Sequence, residues 1–380
     1  MAEPRTLIGV ISRFRLYLVL SLVISFVMVP VADGLVLQRD RNRNMVYGEL
    51  FWQEGFYVYD LSDSDLQNDY GVPSDHLLTG VLNVTYEYPM FTLLFYAFMA
   101  LIEPGQYGNH WLANWVLVLL AHVNLILFLY LGQNHWDKKW FRQLFFVYYA
   151  FSMVFSVGFA KTEPMADLLW MSSLILFQNR RFISANALLG FAVQTKLYPA
   201  LAFPFFMAAS PIGALAFLAT LAITSLPLVL TGVGYSTLLA HLQNSAAYSE
   251  LVTNPFFIGL FFSNPASIIA PAVLFISLTY MLLQTKTTRG FPIPLLQLKS
   301  KDWRRTLVFA SPLILVAFSW VLIWYYSWFL VPFYLLNKEE DRSDFRWMIA
   351  AIWIAHFSGI LLNLEYFVNG PIAEFFGHLK

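Results

Sequence analysis

Carboxylates cluster where the first apolar segment of the chain gives way to a polar stretch, and a carboxylate there could act as a general base on a hydroxyl. Asp33 lies within the end of the apolar segment, and Asp40 and Glu49 follow in RDRNRNMVYGELFWQEGFYVYD, together with Tyr47 and Tyr59. A solvated acid that catalyses nothing is the plainer interpretation of any one of them. As a group they predict a catalytic site.

A second acid, Glu87, stands in Tyr86-Glu87-Tyr88-Pro89, directly before the short apolar run MFTLLFYAFMALI. Proline fixes φ and suits the first turn of a helix, so a helix start flanked by interfacial aromatic residues explains the proline. A helix start does not explain Glu87, because a carboxylate near hydrocarbon is costly unless it is paired or has a function. Glu87 and Tyr88 are therefore candidate site residues.

Two short turns between apolar segments carry the remaining charged candidates. Lys161, Glu163 and Asp167 occupy the first turn, where Glu163 could stabilise a helix start and Asp167 would need a partner such as Lys161. Structural and functional roles for these three stay open. The second turn, QTKLYP, holds Lys196 and Tyr198. A lysine between two apolar segments of a membrane protein is costly unless it faces a cavity, where it could bind a phosphate. The alternative is a side chain that reaches back to the membrane interface.

Aromatic residues near the end of the chain could form a platform for a sugar ring or a prenyl chain. They are Tyr325 and Tyr326 with Trp324 and Trp328, and His241 could join them. An aromatic belt at the membrane interface is the alternative.

Several kinds of chemistry find no support in the sequence. The chain has no cysteine, its histidines are scattered without metal-ligand spacing, and Asp63 and Asp65 form an isolated DxD. Because no glycine-rich phosphate loop is present, ATP-driven chemistry is not expected. We predict no metal ligands and no resident cofactor. Lys plus Arg and Asp plus Glu balance at 23 each, and no nucleic-acid partner is expected.

Composition identifies the bilayer as the solvent that positions these residues. Hydrophobic residues make up 58% of the 380 residues and charged residues only 12%, whereas soluble domains are about 25% charged. We predict a single all-α polytopic transmembrane domain over 1–380 with about eleven spans. The predicted spans are 15–36, 111–132, 143–160, 164–178, 183–197, 199–210, 212–231, 264–283, 306–324, 326–337 and 346–363, of which 183–197 and 199–210 could be half-spanning.

Basic residues orient these spans, because cytoplasmic loops are rich in Lys and Arg. With the N-terminus in the cytoplasm, most of the 23 basic residues fall inside. Counting the short apolar run as a span would reverse this bias, so we predict that 86–103 forms a helix at the outer interface. Two extracytoplasmic loops result, at 37–110 with interfacial helices and at 232–263, and the site would be extracytoplasmic.

This layout resembles the GT-C membrane glycosyltransferases, and DRNRNMVYGELFWQEGFYVYD followed by YEYPMFTLLFY is similar to the polyprenyl-phosphate-mannose-dependent mannosyltransferases. Their acid, Tyr, Gly-x-x-x-Tyr and Tyr-Pro-Pro pattern matches Asp40, Tyr47, Gly55 with Tyr59, and Tyr88-Pro89, while Met90 replaces the second proline. QTKLYPALAFP and WYYSWFLVPFYLL resemble the family's Thr-Lys turn and its late aromatic span. The motif-level resemblance covers about 40–90, 194–204 and 320–335.

The resemblance implies transfer of a sugar, mannose in that family, from a polyprenyl-phosphate donor to a glycan or glycolipid acceptor at the outer face of the bilayer. Asp40 would be the base, with Asp33, Glu49 and Glu87 as alternatives or orienting groups. Lys196 and His241 would face the phosphate, where a weakly bound divalent cation stays an open alternative. A transporter or flippase for a lipid-linked substrate, and a non-catalytic subunit of a glycan-assembly complex, are the rival functions.

Overall fold

The structure is a computed structural model, and it describes residues 6–34, 38–77, 85–104, 110–231, 254, 303–317 and 321–362. The predicted span 264–283, His241, and the predicted loop 232–263 except Asn254 lie outside these residues. Within the described ranges the regular structure is helical, with one isolated bridge between Ser62 and Thr85.

Thirteen α-helices are described, and short 3-10 and π-helical segments join several of them. The α-helices are α1 Leu7–Gly34, α2 Arg39–Glu54, α3 Asp63–Asp69, α4 Met90–Ile102, α5 Trp111–Leu131, α6 Lys139–Phe151, α7 Glu163–Gln178, α8 Phe182–Val193, α9 Phe203–Ala209, α10 Pro211–Leu230, α11 Trp303–Ala310, α12 Leu330–Phe333 and α13 Glu339–Leu362. A π-helix, Ser152–Gly158, continues α6, and 3-10 segments occupy Gly55–Tyr59, Ser74–His76, Gln133–His135, Tyr198–Ala202, Ser311–Ala317 and Ile323–Phe329.

Three described helices are long and apolar enough to cross a membrane: Leu7–Asp33, Trp111–Leu131 and Pro211–Leu230. The first and the third expose large apolar side chains, such as Leu16 and Ile223, that an aqueous surface would not accommodate in such numbers. An all-α membrane protein is therefore confirmed.

The core is formed by α5, α7, α8 and α10, each of which packs against the next in that order. Stacked aromatic rings fill it, with Phe128 and Tyr148 at 4.4 Å and Phe177 and Phe206 at 3.9 Å between centroids. This packing holds the turns after the π-helix and after α8 at one end of the helix bundle.

The predicted loop 37–110 is largely helical where it is described, and α2 packs on α4. Their contact is close at Gly48, because a Cβ there would lie 2.5 Å from the backbone carbon of Tyr96. The predicted short helix at 86–103 is present as α4, which begins directly after Pro89. Its 13 residues extend about 20 Å, less than the roughly 30 Å of a hydrocarbon core.

Predicted helix boundaries needed correction at several places. The span predicted at 346–363 begins at Glu339, and the span predicted at 326–337 is formed by the end of the 3-10 segment Ile323–Phe329 and the four-residue α12. The first helix begins at Leu7, not at residue 15, and so includes Arg13 and Arg15. Long basic side chains can reach past apolar surface, so such residues do not end a helix. The predicted span 143–160 begins at Lys139 and ends in the π-helix Ser152–Gly158.

Candidate functional site

Five segments from distant parts of the chain meet at one end of the bundle. Two are helix starts, and three are short connections between helices. They are the N-terminus of α2, residues 85–89 before α4, the turn 159–162 with the start of α7, the turn 194–197, and the 3-10 segment Ile323–Phe329.

Asp40 and Lys161 form an ion pair at the centre of this site. Asp40 lies in the first turn of α2, where the helix dipole favours an anion. The Lys161 ammonium donates a hydrogen bond to Asp40 Oδ2, and the Tyr88 hydroxyl donates to the same oxygen at 3.4 Å. Lys161 Nζ also lies 4.0 Å from the Trp324 ring centroid. Asp167, the partner expected for Lys161, is bound by other residues.

The backbone before Lys161 explains where this lysine points. The π-helix Ser152–Gly158 ends at the turn, and Ala160 has a φ of 49°, in the left-handed region that alanine rarely adopts. π-helical turns and strained residues often occur at functional sites, where packing holds them in place. The Ala160 side chain packs against Leu117 and Met165. The strained turn therefore sets the direction of Lys161.

A second lysine–carboxylate pair, Lys196 with Glu163, lies beside the first. Glu163 is the first residue of α7, as expected, and its Oε1 accepts a hydrogen bond from Lys196. The Glu163 side chain is 4% exposed, and its Oε2 has no hydrogen-bond partner among the described residues. Lys196 Nζ lies 5.7 Å from the ring centroid of Tyr88 and 5.9 Å from that of Trp328.

The charges around Asp40 lower the pKa of its carboxyl group. Burial by itself raises this pKa, and the charge and hydrogen bond of Lys161, with the charges of Lys196 and Arg43, outweigh it. The net pKa lies below the ordinary value of an aspartate, so Asp40 is ionised at neutral pH.

Arg43, which is not among the site residues predicted from the sequence, anchors the helix that carries Asp40. Its guanidinium donates to both carboxylate oxygens of Asp63 at 2.8 and 3.0 Å, to Glu87, and to the Thr85 carbonyl oxygen at 2.9 Å. The guanidinium carbon lies 5.0 Å from the Tyr47 ring centroid. Asp63, which the isolated DxD motif singled out, is thus a buried structural acid.

Hydrogen bonds hold the start of α4 against the lysine turn. The Phe91 amide donates to the Gln194 carbonyl oxygen at 3.0 Å, and the Thr92 hydroxyl donates to the Thr195 carbonyl oxygen at 2.9 Å. The Tyr-Pro segment and the Thr-Lys turn, which the sequence singled out separately, therefore form one unit.

Three stacked aromatic rings border the second ion pair. Trp328 lies between Tyr198, at 4.8 Å between centroids, and Tyr325, at 4.2 Å, with both pairs of rings nearly parallel. The Tyr198 hydroxyl donates to Asp167, which also accepts from Tyr148 at 3.0 Å. Asp167 is thereby the anchor of the aromatic stack.

Other candidates lie away from this centre or are buried beside it. Asp33 pairs with Arg41 at 3.4 Å, and the Tyr326 hydroxyl lies 2.6 Å from His356 Nδ1. Glu49 follows Asp40 by nine positions, so at about 3.6 residues per turn it occupies the opposite face of α2.

Tyr47 and Tyr59 are buried and bind protein groups. The Tyr47 hydroxyl donates to Asp63 Oδ1 at 3.1 Å, and the Tyr59 hydroxyl donates to the Tyr88 carbonyl oxygen at 3.1 Å. They brace the site and expose almost no surface to a substrate.

No group of three or more His, Asp or Glu side chains that could hold a metal ion occurs among the described residues. Comparison with family models, with curated proteins and with solved structures finds no match for this chain. The function must therefore be inferred from the site itself.

Proposed function

We propose that this protein is an inverting glycosyltransferase of the GT-C type, which moves a sugar from a polyprenyl-phosphate donor to a glycan or glycolipid acceptor. The observation that carries the proposal is the meeting of an ionised, partly exposed carboxylate with two lysines at one end of a membrane-embedded helix bundle. Mannose is the sugar that the resemblance of the motifs favours.

In the proposed reaction the acceptor hydroxyl gives its proton to the Asp40 carboxylate. Its oxygen forms a bond to the anomeric carbon while the bond from that carbon to the donor phosphate oxygen breaks. The polyprenyl phosphate leaves with the bonding electrons, and attack opposite the leaving group inverts the anomeric centre. The transition state resembles an oxocarbenium ion, and positioned cations favour the charge that grows on the phosphate.

Lys196 is the proposed phosphate-binding cation, and His241 is proposed to assist it. A lysine ammonium is a common point-charge partner of phosphate. Trp328, whose ring centroid lies 5.9 Å from Lys196 Nζ, also lines a small apolar cavity with Trp170, Leu201 and Phe329. A buried lysine at the end of a membrane-embedded helix bundle fits a lipid-linked phosphate better than a soluble nucleotide. A weakly bound divalent cation, if used, would sit at the same phosphate.

The topology proposed with this function has about eleven spans and a cytoplasmic N-terminus. The end of the bundle that carries Asp40 and both lysines would then face the outside, where lipid-linked sugars of this kind serve as donors. The opposite end carries basic residues such as Arg13 and Arg342, which agrees with the expected bias of cytoplasmic loops.

Transport of a lipid-linked substrate is the second candidate, because Asp167 is a buried acid within a predicted span. Transporters commonly place ionisable residues inside the membrane. Proteoliposomes that contain the purified protein and a fluorescent prenyl-phosphate sugar separate the two functions. Formation of a glycosidic product supports transfer, whereas movement of the lipid between leaflets without a product supports transport.

Replacement of Asp40 by Asn tests the proposed base. Transfer should fall by about 10²- to 10⁴-fold, the usual contribution of a general base, while binding of farnesyl phosphate persists. Glu49→Gln is the matched control, because it changes an acid on the opposite face of the same helix and should leave transfer unchanged. Full activity of Asp40→Asn in a glycolipid transfer assay would refute the assignment of Asp40 as the base.

A further inference from the structure

The ion pair at Asp40 raises a difficulty for its role as a base. A carboxylate that accepts a hydrogen bond from an ammonium ion is a weak base, and the ammonium occupies the oxygen Oδ2 that also binds Tyr88. An acceptor hydroxyl must therefore meet a carboxylate whose proton affinity the pairing has lowered. The site needs a way to release Asp40 when transfer is due.

We propose that Lys161 is a gate on the base: a bound phosphate group draws its ammonium away from Asp40, so that the carboxylate can accept a proton only when the donor is present. This inference rests on the proposed function and specifies how the same site is controlled. The chemistry required of the ligand is a phosphate, whether carried by a prenyl lipid or free in water.

The two lysine pairs differ in a way that makes Lys161 the movable one. Lys196 and Glu163 are both deeply buried, with side chains 12% and 4% exposed. Asp40 keeps 20% of its side chain exposed, whereas Lys161 is 8% exposed. Of the two carboxylates, Asp40 is therefore the one that water can reach when its lysine moves away. Losing one ammonium is also less costly for a carboxylate that water can reach.

Trp324 makes a second contact with the Lys161 ammonium, in the same position in which the ammonium pairs with Asp40. The ammonium lies 4.0 Å from the Trp324 ring centroid, within the range of a favourable cation–π contact. Trp324 belongs to the same 3-10 segment as Trp328, whose ring centroid lies 5.9 Å from Lys196 Nζ. A phosphate bound by Lys196 would thus lie on the side of the site to which Trp324 already holds Lys161.

Several other groups face Asp40 from the elements packed around it, and none of them is a movable positive charge like Lys161. Those that interact with its carboxylate among the described residues are Arg43, Tyr88, Tyr96, Lys161, Lys196 and Tyr325. Arg43 is held by Asp63 and Glu87, and the tyrosines are neutral at physiological pH. Movement of Lys161 alone therefore changes the charge in contact with Asp40.

The sign of the effect follows from the causes of the pKa of Asp40. Burial raises this pKa, and Lys161 makes the largest opposing contribution. Transfer of the Lys161 ammonium to a phosphate removes that contribution and adds a nearby anion. Both changes raise the pKa of Asp40 and make it a stronger base in the donor complex.

Infrared titration of the full-length protein in nanodiscs tests the gate. The carboxyl band of Asp40 is titrated without ligand, with saturating farnesyl phosphate and with inorganic phosphate. The double variant Asp40→Asn/Lys161→Met assigns the band, since removing both partners leaves no unpaired buried charge. In the wild type, farnesyl phosphate should move the titration midpoint upward. A shift with farnesyl phosphate alone, or with both anions, supports the gate and identifies whether the phosphate must be carried by a lipid.

Two lysine variants separate the gate from simple phosphate binding. In Lys161→Met the titration midpoint of Asp40 should already be higher than in the wild type without ligand. Bound farnesyl phosphate should then raise this midpoint by less than it does in the wild type. In Lys196→Met binding should weaken by about 10- to 100-fold, the effect of losing one charged hydrogen bond, but saturation should still raise the midpoint. Should Lys161→Met fail to fold, Lys161→Arg, which keeps the charge, is titrated in its place and should retain the upward shift.

The possible failures can be distinguished. If farnesyl phosphate binds, as measured by calorimetry, and the midpoint of wild-type Asp40 does not move, the gate is wrong and the proposed function stands. If farnesyl phosphate does not bind to the wild type at all, both the proposed function and the gate are refuted.

Discussion

At the scale of single residues, the site contains ion pairs of two kinds. Arg43 and Asp63 are almost fully buried, at 3% and 0% side-chain exposure, and Arg43 uses several donor nitrogens on three partners. Lys161 has one carboxylate partner that solvent can partly reach. A buried network with as many hydrogen bonds as that of Arg43 keeps one arrangement. The pair of Lys161 and Asp40 has fewer contacts to break when a partner is exchanged. The structural charges and the proposed catalytic charge are thus separated within a few residues of α2.

Loss of Arg43 should destabilise the protein strongly. Arg43→Met leaves Asp63 buried without its main counter-charge, and breaking such a pair costs about 3–5 kcal/mol. The control is Arg13→Met, because Arg13 and Asp137 form an exposed pair, at 49% and 85% side-chain exposure, of a kind that contributes at most about 1 kcal/mol. Thermal unfolding in detergent compares the two variants. Equal midpoints would contradict a structural role for Arg43.

The sequence predicted most of the polar residues that meet in the site but not their pairing. Asp40, Tyr88, Lys161, Glu163 and Lys196 were all candidates, since charges next to apolar segments are costly without a purpose. The partner of Lys161 lies 121 positions away, so only the packing of the helices could identify it. Arg43 was overlooked because it stands among other charged residues in a polar stretch.

At the scale of elements, the sequence predicted α4 and failed to predict α2 as a buried helix. The Tyr-Pro pair before an apolar run marks the start of α4. In α2 the buried residues include the polar run Arg41 to Asn44, which has no apolar periodicity. Burial of α2 depends on ion pairs and on close contact with α4, and neither leaves a local signal.

The close contact of α2 with α4 can be tested at Gly48. A Cβ at this position would lie 2.5 and 2.6 Å from the backbone carbon and oxygen of Tyr96. Backbone cannot move aside as a flexible side chain can, so Gly48→Ala should destabilise the protein by about 1–3 kcal/mol. This outweighs the roughly 0.5–1 kcal/mol that alanine contributes in a helix interior.

Gly9→Ala in α1 is the matched control, because the nearest atom to its Cβ would be Thr6 Oγ1 at 3.6 Å. It should leave stability unchanged or raise it slightly. Because α2 carries Asp40 and the residues before α4 include Tyr88, Gly48→Ala should also weaken the hydrogen bond between them. Thermal unfolding and the infrared titration of Asp40 measure the two effects. A Gly48→Ala variant as stable as the wild type would show that the helices can separate without cost.

At the scale of the whole molecule, polar chemistry is divided between the two ends of the bundle. One end holds Asp40, Glu163 and their lysines, and the other holds ion pairs such as Arg305 with Asp341. Apolar surface lies between them on α1 and α10. This division is what a membrane requires, because charges are tolerated at its surfaces and apolar side chains within it.

Cysteine labelling can determine which end faces outward, since the chain has no cysteine of its own. Gln67, Asn134 and Asn179 are exposed, the first in α3, the second in the 3-10 segment Gln133–His135 and the third in a turn, the latter two at the opposite end of the bundle. In intact cells, a membrane-impermeant maleimide should label Gln67→Cys, and should label Asn134→Cys and Asn179→Cys only after the membrane is permeabilised.

At about 20 Å, α4 is too short to span the hydrocarbon core. Labelling of both Gln67→Cys and Asn134→Cys from outside would mean that α4 crosses the membrane after all, and the proposed topology would be wrong.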